Sequence, residues 1–226
     1  MRGWPRYAQY KASGVEWLGD VPEHWEVKRL KSIASCNDLS LDENTDPDHE
    51  IAYVDISSVS LIEGVKNIEY MSFENAPSRA RRCVKNGDVI VSTVRTYLKA
   101  ITQIKNPPEN MIVSTGFAVI RVFNNLIPDF LGYLIQSEGF VGEVVSRSVG
   151  VSYPAINSSD LMRLPVIGVP LSEQAAITQY LNQKTAELDQ MAAKVEAVID
   201  KLKEYRAALI TQAVTGQIDV RGLIDV

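Results

Sequence analysis

The strongest constraint on this chain is a heptad repeat within residues 172–214, a stretch that contains neither glycine nor proline. Apolar side chains recur there at alternating intervals of three and four residues, which is the spacing of a coiled-coil seam. The pattern predicts one helix of about 43 residues, roughly 65 Å long at a rise of about 1.5 Å per residue. Ser172 is the predicted N-cap and Gly216 the predicted C′ residue.

The seam of this helix is almost wholly apolar, so an isolated helix would leave it exposed to water. Its members are Ile177, Leu181, Lys184, Leu188, Met191, Val195, Val198, Leu202, Tyr205 and Leu209. Because no other stretch of the sequence carries a heptad repeat of similar length, the predicted partner comes from another molecule. If that molecule is a second copy of this chain, closed two-fold symmetry, the commonest arrangement of homodimers, pairs the two helices antiparallel.

Lys184 is the polar exception in the seam. With Met191 and Val195 near the two-fold axis, antiparallel pairing places Lys184 opposite Leu202 of the second copy. The lysine stem can then cover Leu202 while its ammonium group reaches Glu204. One polar residue in a seam fixes the register of the helices at some cost in stability, and this is the predicted role of Lys184.

Residues 1–171 are rich in glycine, proline and short apolar runs, which predicts a globular domain of mixed α and β structure. The predicted strands cover residues 51–59, 88–94, 99–104, 111–115 and 117–122. Helices are predicted at 25–35 (with Trp25, Leu30, Ile33 and Ala34 facing inward), at 128–137 and from Ser158 onwards, before an extended segment at 164–170. The predicted fold class is therefore α/β (α+β): a globular domain at 1–171, one long C-terminal coiled-coil helix at 172–216 and a tail at 217–226.

Composition and charge limit the possible functions. No apolar run reaches the roughly 18 residues that a membrane span needs, and no apolar signal segment begins the sequence. Cys36 and Cys83 are predicted to be free thiols, so we expect a cytoplasmic protein without a membrane partner. The net charge is −5, yet residues 37–75 hold ten acidic and one basic residue, whereas residues 76–171 hold ten basic and six acidic residues. The basic stretch is compatible with DNA binding, and a solvated charged face is the alternative.

Catalytic motifs are scarce in this sequence. His24 and His49 are the only histidines, neither has a metal-ligand spacing, and no glycine-rich phosphate-binding loop occurs. Asn-Pro-Pro-Glu at 106–109 departs from the Asn-Pro-Pro-aromatic signature of DNA methyltransferases and is interpreted as a turn. We therefore predict a protein that is not an enzyme and has no metal or cofactor of its own.

Five stretches resemble, in order along the chain, parts of the specificity (S) subunits of type I restriction–modification systems. SGVEWLGDVPEHWEVKRLKSI (13–33) is similar to their N-terminal entry, and NGDVIVSTVR (86–95) and STGFAVIRV (114–122) are similar to strands of their target-recognition domains. LPVIGVPLSEQAAITQYL (164–181) resembles the junction with the long helix, and AVTGQIDVRG (213–222) resembles the end of that helix. An S subunit carries two recognition domains and two long helices, so this sequence, with one of each, resembles a half-length S subunit.

The resemblance implies a subunit that binds double-stranded DNA and performs no chemistry itself. It implies docking to methyltransferase (M) subunits, which carry S-adenosylmethionine, and through them to restriction (R) subunits. Flanking apolar residues such as Ile199, Ala207 and Ile210 form a second side of the helix on which M subunits are expected to dock. An antiparallel dimer would place one recognition domain at each end and would read an inverted repeat.

The candidate DNA contacts fall into four groups. A basic cluster before the predicted strand 86–95 is expected to bind phosphates, because such contacts need charge rather than a fixed orientation. The strand and its exit are expected to carry a polar and aromatic stripe on one face, in which arginine can read guanine. A repeated Val-Ser-Thr sequence and a loop at 146–156 complete the surface. In that order, the candidates are Arg79, Arg81, Arg82 and Lys85; Thr93, Arg95, Tyr97 and Lys99; Ser114 and Thr115; and Arg147, Ser152 and Tyr153.

Two other functions remain open at this point. One is a stand-alone DNA-binding regulator or decoy that competes with a full-length specificity subunit, which co-purification with M would distinguish. The other is a coiled-coil assembly adaptor without a role on DNA, which a salt-dependent DNA shift assay would distinguish.

Overall fold

The computed structural model describes residues 5–223, so the first four residues of the predicted domain and the last three of the predicted tail lie outside it. The described chain divides into two compact units, one ending at Thr178 and the other beginning at Gln179. A domain of mixed strands and helices is followed by one long helix, which confirms the predicted fold class.

The strands are short and the last helix is long. The strands are β1 Tyr10–Ala12, β2 Asp20–Pro22, β3 Glu26–Arg29, β4 Ala34–Cys36, β5 Glu50–Val54, β6 Val59–Ser60, β7 Gly64–Val65, β8 Glu69–Ser72, β9 Ala80–Cys83, β10 Val89–Ser92, β11 Ile101–Gln103, β12 Met111–Ser114, β13 Phe117–Val122 and β14 Pro165–Gly168. The helices are α1 Pro128–Gln136, α2 Glu138–Ser146, α3 Ser158–Leu161 and α4 Leu171–Val214.

Two four-stranded sheets form the domain, with strand orders β11-β10-β13-β4 and β8-β5-β12-β9. Three two-stranded pairs, β1-β2, β14-β3 and β6-β7, surround them. All neighbours in the first sheet are antiparallel, whereas β12 pairs parallel to β5 and antiparallel to β9 in the second. The predicted strands at 88–94, 99–104, 111–115 and 117–122 correspond to β10, β11, β12 and β13.

The first sheet is buried on both faces, which explains its continuous apolar runs. Val89, Val91 and Ile120 lie in a core that also contains apolar residues of α1 and α2. Ile90 and Val119, which alternate with them, lie in a second core that also contains residues of β12. The period of two along each strand thus sends one set of side chains to the helices and the other set to the second sheet.

The predicted helix at 25–35 is wrong. The segment forms β3, a single 3-10 turn at Leu30–Ser32 and β4. Leu30, Ile33 and Ala34 are nevertheless buried, as their spacing predicted. Apolar residues three and four positions apart can also be buried by a strand, a turn and a strand, and pairing of β3 with β14 and of β4 with β13 selects that outcome. Helix α2 was not predicted.

A buried ion pair joins the start of β10 to β13. Arg121 Nε donates to Asp88 Oδ1 at 2.9 Å and its Nη2 to Oδ2 at 2.6 Å, and the backbone N–H of Lys85 donates to the same carboxylate at 2.7 Å. The Asp88 side chain is 3% exposed, so this charge depends on its partners. Hydrogen bonding to Asp88 outweighs the opposing effect of burial and raises the pKa of Arg121.

The long helix begins one residue earlier than predicted. The carbonyl of Pro170 accepts the N–H groups of Glu173 and Gln174, so Ser172 lies inside the first turn and is not the N-cap. The predicted helix end is confirmed. Gly216 has a φ of +74°, and the N–H of Gln217 donates to the carbonyl of Gln212 at 2.8 Å, as in a Schellman motif.

Two side chains in the first turn of α4 attach this helix to the domain. The amide of Gln174, 2% exposed, accepts the N–H of Ile127 at 2.8 Å and donates to the carbonyl of Val169 at 2.7 Å.

The Glu173 carboxylate accepts hydrogen bonds from Tyr7, His24 and Trp25 at 3.0, 2.7 and 3.1 Å. Burial alone would raise the pKa of Glu173, but these hydrogen bonds outweigh it and hold the pKa below its usual value.

We expect Asp88→Ala to lower the free energy of unfolding by about 3 kcal/mol, because it removes both hydrogen bonds of the half-buried Arg121 guanidinium and leaves only its longer contact with Asp38 at 3.7 Å. Denaturant unfolding measures this difference. Asp200→Ala is the matched control, since it removes one carboxylate from an exposed pair with Lys203. The control should change stability by less than about 1 kcal/mol. Equal effects of the two substitutions would contradict the expectation.

Glu173→Gln should lower the melting temperature at pH 7 by a margin that disappears in acid. The pKa of Glu173 is lower in the folded chain than its usual 4.5, so its charge stabilises the fold above that pH. The stabilisation is lost as the pH falls through the folded value. Calorimetry at pH 7 and at a pH well below 4.5 measures the margin, with Glu196→Gln on the exposed face of the same helix as the control. A margin that is the same at both pH values would refute the assignment.

Candidate nucleic-acid interface

Three segments far apart in sequence meet at one edge of the domain: residues 93–99, 115–116 and 147–156. We call them the loop surface. The N–H and Oγ1 of Thr93 donate to the carbonyl of Gly116 at 2.8 and 2.9 Å, and the N–H of Ile156 donates to the carbonyl of Thr93 at 2.9 Å. Thr96 Oγ1 donates to Ser148 Oγ at 2.7 Å. The loop surface is therefore held together by hydrogen bonds among all three segments.

The predicted stripe on one face of an extended strand is wrong. Strand β10 ends at Ser92, and Thr96–Leu98 form a 3-10 turn. Arg95 and Lys99, which flank this turn, have φ values of 52° and 50° in the left-handed region. The chain reverses here, so the alternation expected of a strand does not apply. Arg95, Tyr97 and Lys99 are still exposed, and Tyr97 retains 51% of its accessible surface.

Thr93 and Ser114 do not belong to the exposed surface. Both are buried, and the Ser114 hydroxyl accepts the N–H of Gly116. Their side chains support the connections between β10, β12 and β13, so the expectation that they contact DNA is corrected. Thr115 is exposed, and its N–H donates to the carbonyl of Arg79 at 2.8 Å, which brings the backbone of Arg79 to the rim of the loop surface.

The loop at 147–156 presents Tyr153 on a closed turn. The N–H and carbonyl groups of Val149 and Ala155 are hydrogen bonded to each other at 2.9 and 3.0 Å. Gly150 has a φ of +123°, and a Cβ atom there would lie 3.0 Å from the carbonyl oxygen of Tyr153. The turn therefore requires glycine at this position. Tyr153 is 64% exposed and lies under the Arg95 guanidinium, whose carbon is 4.9 Å from the ring centroid.

Two of the predicted arginines already have carboxylate partners. Arg79 donates to Asp55 at 2.9 Å and to the hydroxyl of Tyr53 at 3.2 Å, and these interactions raise its pKa. Arg147 donates to Glu143 at 2.6 Å, one turn earlier in sequence. Their charges are partly balanced inside this chain, which leaves less charge for a phosphate.

The remaining basic candidates lie on or after β9, in the second sheet. The Arg81 guanidinium stacks over Phe73 at 4.6 Å, and Arg82 is half-buried with no partner for its Nε atom. Lys85 is exposed, and so is Ser152 in the loop at 147–156. The structure thus brings Arg95, Tyr97, Lys99, Thr115, Arg147, Ser152 and Tyr153 together on or beside the loop surface, and places Arg81, Arg82 and Lys85 elsewhere on the domain.

Sequence reasoning missed the residues that hold the loop surface in place. Asp55 binds Arg79 across the second sheet, and Ser148 binds the turn that follows Arg95. Neither residue belongs to a motif, because each acts through a partner distant in sequence. Val149 and Val151 were missed as well, although two valines in a loop rich in glycine and serine are an available signal. Both are strongly exposed.

The seam of α4 is exposed over most of its length. Leu188, Met191, Val195, Val198, Leu202, Tyr205 and Leu209 are between 43% and 67% exposed. Ile177 is half-buried against the core formed with α1 and α2, and Leu181 is half-buried. Lys184 Nζ lies 2.7 Å from the Glu187 carboxylate of its own chain. Seven consecutive seam positions thus leave an apolar face open to water.

Within residues 5–223, no group of three or more His, Cys, Asp or Glu side chains is arranged to hold a metal ion. No helix in the same part of the chain is both long and apolar enough to span a membrane.

Comparison with known families gives a match to the type I restriction modification DNA specificity domain over residues 22–200. The chain belongs to this family. The match covers the loop surface and more than half of α4, and it confirms the resemblance found in the sequence.

Relatives and solved structures of type I specificity subunits match most of the chain. The HindI specificity subunit of Haemophilus influenzae is 22% identical over 222 residues, covering 85% of this chain and 48% of its own length. The HsdS subunit of Thermoanaerobacter tengcongensis has a TM-score of 0.66 and 30% identity over 80% of this chain and 48% of that one.

A chain from a structure concerned with complex assembly and conformational transition of the type I R-M system has a TM-score of 0.70 and 28% identity. The match covers 91% of the present chain and 52% of the solved chain. The chain spans about half the length of the curated relatives it matches.

Proposed function

We propose that this protein is the DNA sequence-recognition component of a type I restriction–modification enzyme. The observation that carries the proposal is the family match over residues 22–200, which includes both the recognition domain and the helix that follows it. In this function the chain binds double-stranded DNA and positions catalytic subunits, and it contributes no reacting group. S-adenosylmethionine is then bound by the M subunit.

The loop surface supports DNA binding. Arg95 and Lys99 carry positive charge beside the exposed rings of Tyr97 and Tyr153, and none of the ion pairs among residues 5–223 involves either cation. Cations without an acidic partner are available to phosphates and base edges. Most specific readout of DNA comes from side chains that a rigid scaffold presents on loops and strand edges, and the hydrogen-bonded loops meet that condition.

The exposed seam of α4 supports pairing with a second copy of the same helix. An antiparallel arrangement centred between Met191 and Val195 places these two residues opposite each other. It also places Leu188 opposite Val198 and Lys184 opposite Leu202. Every seam position then meets another seam position, because the alternation of three and four residues reads the same in both directions. The homodimer carries two identical recognition domains, and it would read an inverted repeat with a spacer between the half-sites.

A second apolar side remains on the paired helices. Ile199 and Ile210 are 45% and 48% exposed and lie outside the seam. We assign this side, together with Ala207, to the M subunits, through which the R subunits join the assembly. Charged residues are depleted from the centres of such interfaces, and these positions are apolar.

Methylome sequencing of cells that express the cognate M subunit, with and without this chain, tests the proposed function. We expect a gapped palindromic adenine-methylated motif only when both proteins are present. Cells that express M together with the chain truncated after Thr178, where the first compact unit ends, serve as the control and should lack the motif. An asymmetric motif would contradict the homodimer. Absence of any motif, with no co-purification of M, would favour the decoy or regulator and overturn the proposal.

The homodimer makes a separate prediction at the two-fold axis. Val195→Glu places a carboxylate against Met191 of the second copy, where burial of an unpaired charge is costly. We expect the dimer dissociation constant to rise by at least about 10-fold in sedimentation equilibrium. Ala193→Glu adds the same charge outside the seam and should leave the constant unchanged. An equal effect of both substitutions would show that charge in general, rather than the seam, controls assembly.

A further inference from the structure

The arginines near the loop surface are of two kinds. Arg79 and Arg147 each donate to a carboxylate of this chain, Asp55 or Glu143. Arg95 has no carboxylate partner among residues 5–223 and instead stacks its guanidinium on the exposed ring of Tyr153. Stacking uses the face of the guanidinium and leaves the N–H groups in its plane free to donate. Arg95 therefore combines full charge and available donors with a guanidinium that lies over an aromatic ring.

The backbone at Arg95 is strained and braced. A non-glycine residue with a φ of 52° costs free energy, and such conformations persist where the surrounding structure enforces them. Here the enforcing contacts are the Thr93–Ile156 hydrogen bond before Arg95 and the Thr96–Ser148 hydrogen bond after it. Arg95 is exposed beyond the end of β10, and both bracing hydrogen bonds come from the loop that carries Tyr153.

The Tyr153 loop is fixed independently of Arg95. Hydrogen bonds between Val149 and Ala155 close it, and Gly150 allows the backbone to approach Tyr153 closely. The backbone that carries the Tyr153 ring is therefore held without any contribution from Arg95. Lys99 lies beyond the same turn with the second positive φ, but it has a flexible stem and a point charge. Charge of that kind suits phosphate rather than a base edge.

We propose that Arg95 reads a guanine in the major groove through its paired N–H donors to O6 and N7, with Tyr153 as the positioning residue that sets the guanidinium plane. The proposal rests on the proposed function, and it adds the base that the recognition domain selects and the residue that selects it. Bidentate contact of this kind discriminates against other bases by roughly 10- to 100-fold. The donors of Arg79 and Arg147 are shared with carboxylates. These two arginines would mainly contact DNA phosphates and so orient the domain on the duplex.

The test begins with the motif read by the wild-type complex with M, measured by binding selection on random duplexes. We expect one fixed G·C pair in each half-site whose preference falls by roughly 10- to 100-fold in Arg95→Lys, which keeps the charge but loses the fork. Tyr153→Ala should weaken the same preference, and Tyr153→Phe should retain it. Arg163→Lys, an exposed arginine paired with Asp160, is the matched control and should change nothing. The salt dependence of binding should change little in Arg95→Lys, since the number of cations is unchanged.

A base analogue tests the same contact by a change on the DNA side. Replacing that guanine by 7-deazaguanine removes N7 and should weaken wild-type binding several-fold, while Arg95→Lys should be almost insensitive to the replacement. Such non-additivity identifies a direct interaction between the two groups. Additive effects, or an unchanged guanine preference in Arg95→Lys, would overturn the assignment of Arg95 while leaving the proposed function intact. Wild-type complex that binds DNA with no sequence preference would overturn the proposed function and this inference together.

Discussion

The antiparallel pairing of β10 with β13 is the constraint on which the rest of the domain depends. Both strands bury side chains on both faces, so the sheet lies between the α1–α2 layer and the second sheet. Burial on both sides leaves little freedom in register, because a shift by one residue would exchange every side chain between the two cores. The Asp88–Arg121 ion pair lies at one end of this pair of strands, where Val89 pairs with Ile120. At the other end, Ser92 pairs with Phe117, and the chain leaves towards the loop surface.

The pairing of β10 with β13 also sets the position of the loop surface. The β12–β13 turn must lie beside the exit of β10, since Phe117 is the partner of Ser92. This neighbourhood allows Thr93 to bind Gly116, and the same residue then accepts the N–H of Ile156. One rigid pair of strands thus determines where three loops meet. The positive φ of Arg95 and the closed turn at Gly150 are tolerated because these contacts stabilise them, and the result is a surface whose backbone is held in place.

The long helix is held by polar contacts at its first turn and exposes an apolar seam farther along. Its first turn is attached to the domain by Glu173 and Gln174, whose polar groups are satisfied inside the described chain. Farther along, the seam from Leu188 to Leu209 is an exposed apolar stripe. Burial of a seam of this length would provide free energy for the proposed association of two copies. Lys184 is the polar member of this seam, and its ammonium group pairs with Glu187 of its own chain at 2.7 Å.

The sequence alone determined the properties that depend on neighbouring residues. The heptad spacing predicted the helix and its exposed seam, Gly216 predicted the helix end, and β-branched runs predicted the central strands. These patterns are local, because backbone conformation and side-chain alternation repeat within a few residues. The helix predicted at 25–35 failed for a related reason: its apolar spacing is satisfied equally well by β3, a turn and β4, and only pairing with strands far along the chain distinguishes them.

Only the tertiary structure decided which candidate residues can meet DNA. Thr93 and Ser114 are buried by the strands around them, while Arg79 and Arg147 acquire the carboxylates of Asp55 and Glu143. Arg95 acquires Tyr153, which lies 58 positions further along the sequence. Burial, ion pairing and stacking depend mostly on contacts between distant segments, and no local pattern records which of these contacts will form. The sequence therefore predicted the residue types of the candidate interface, whereas the fold determined which of these side chains are exposed and without a carboxylate partner.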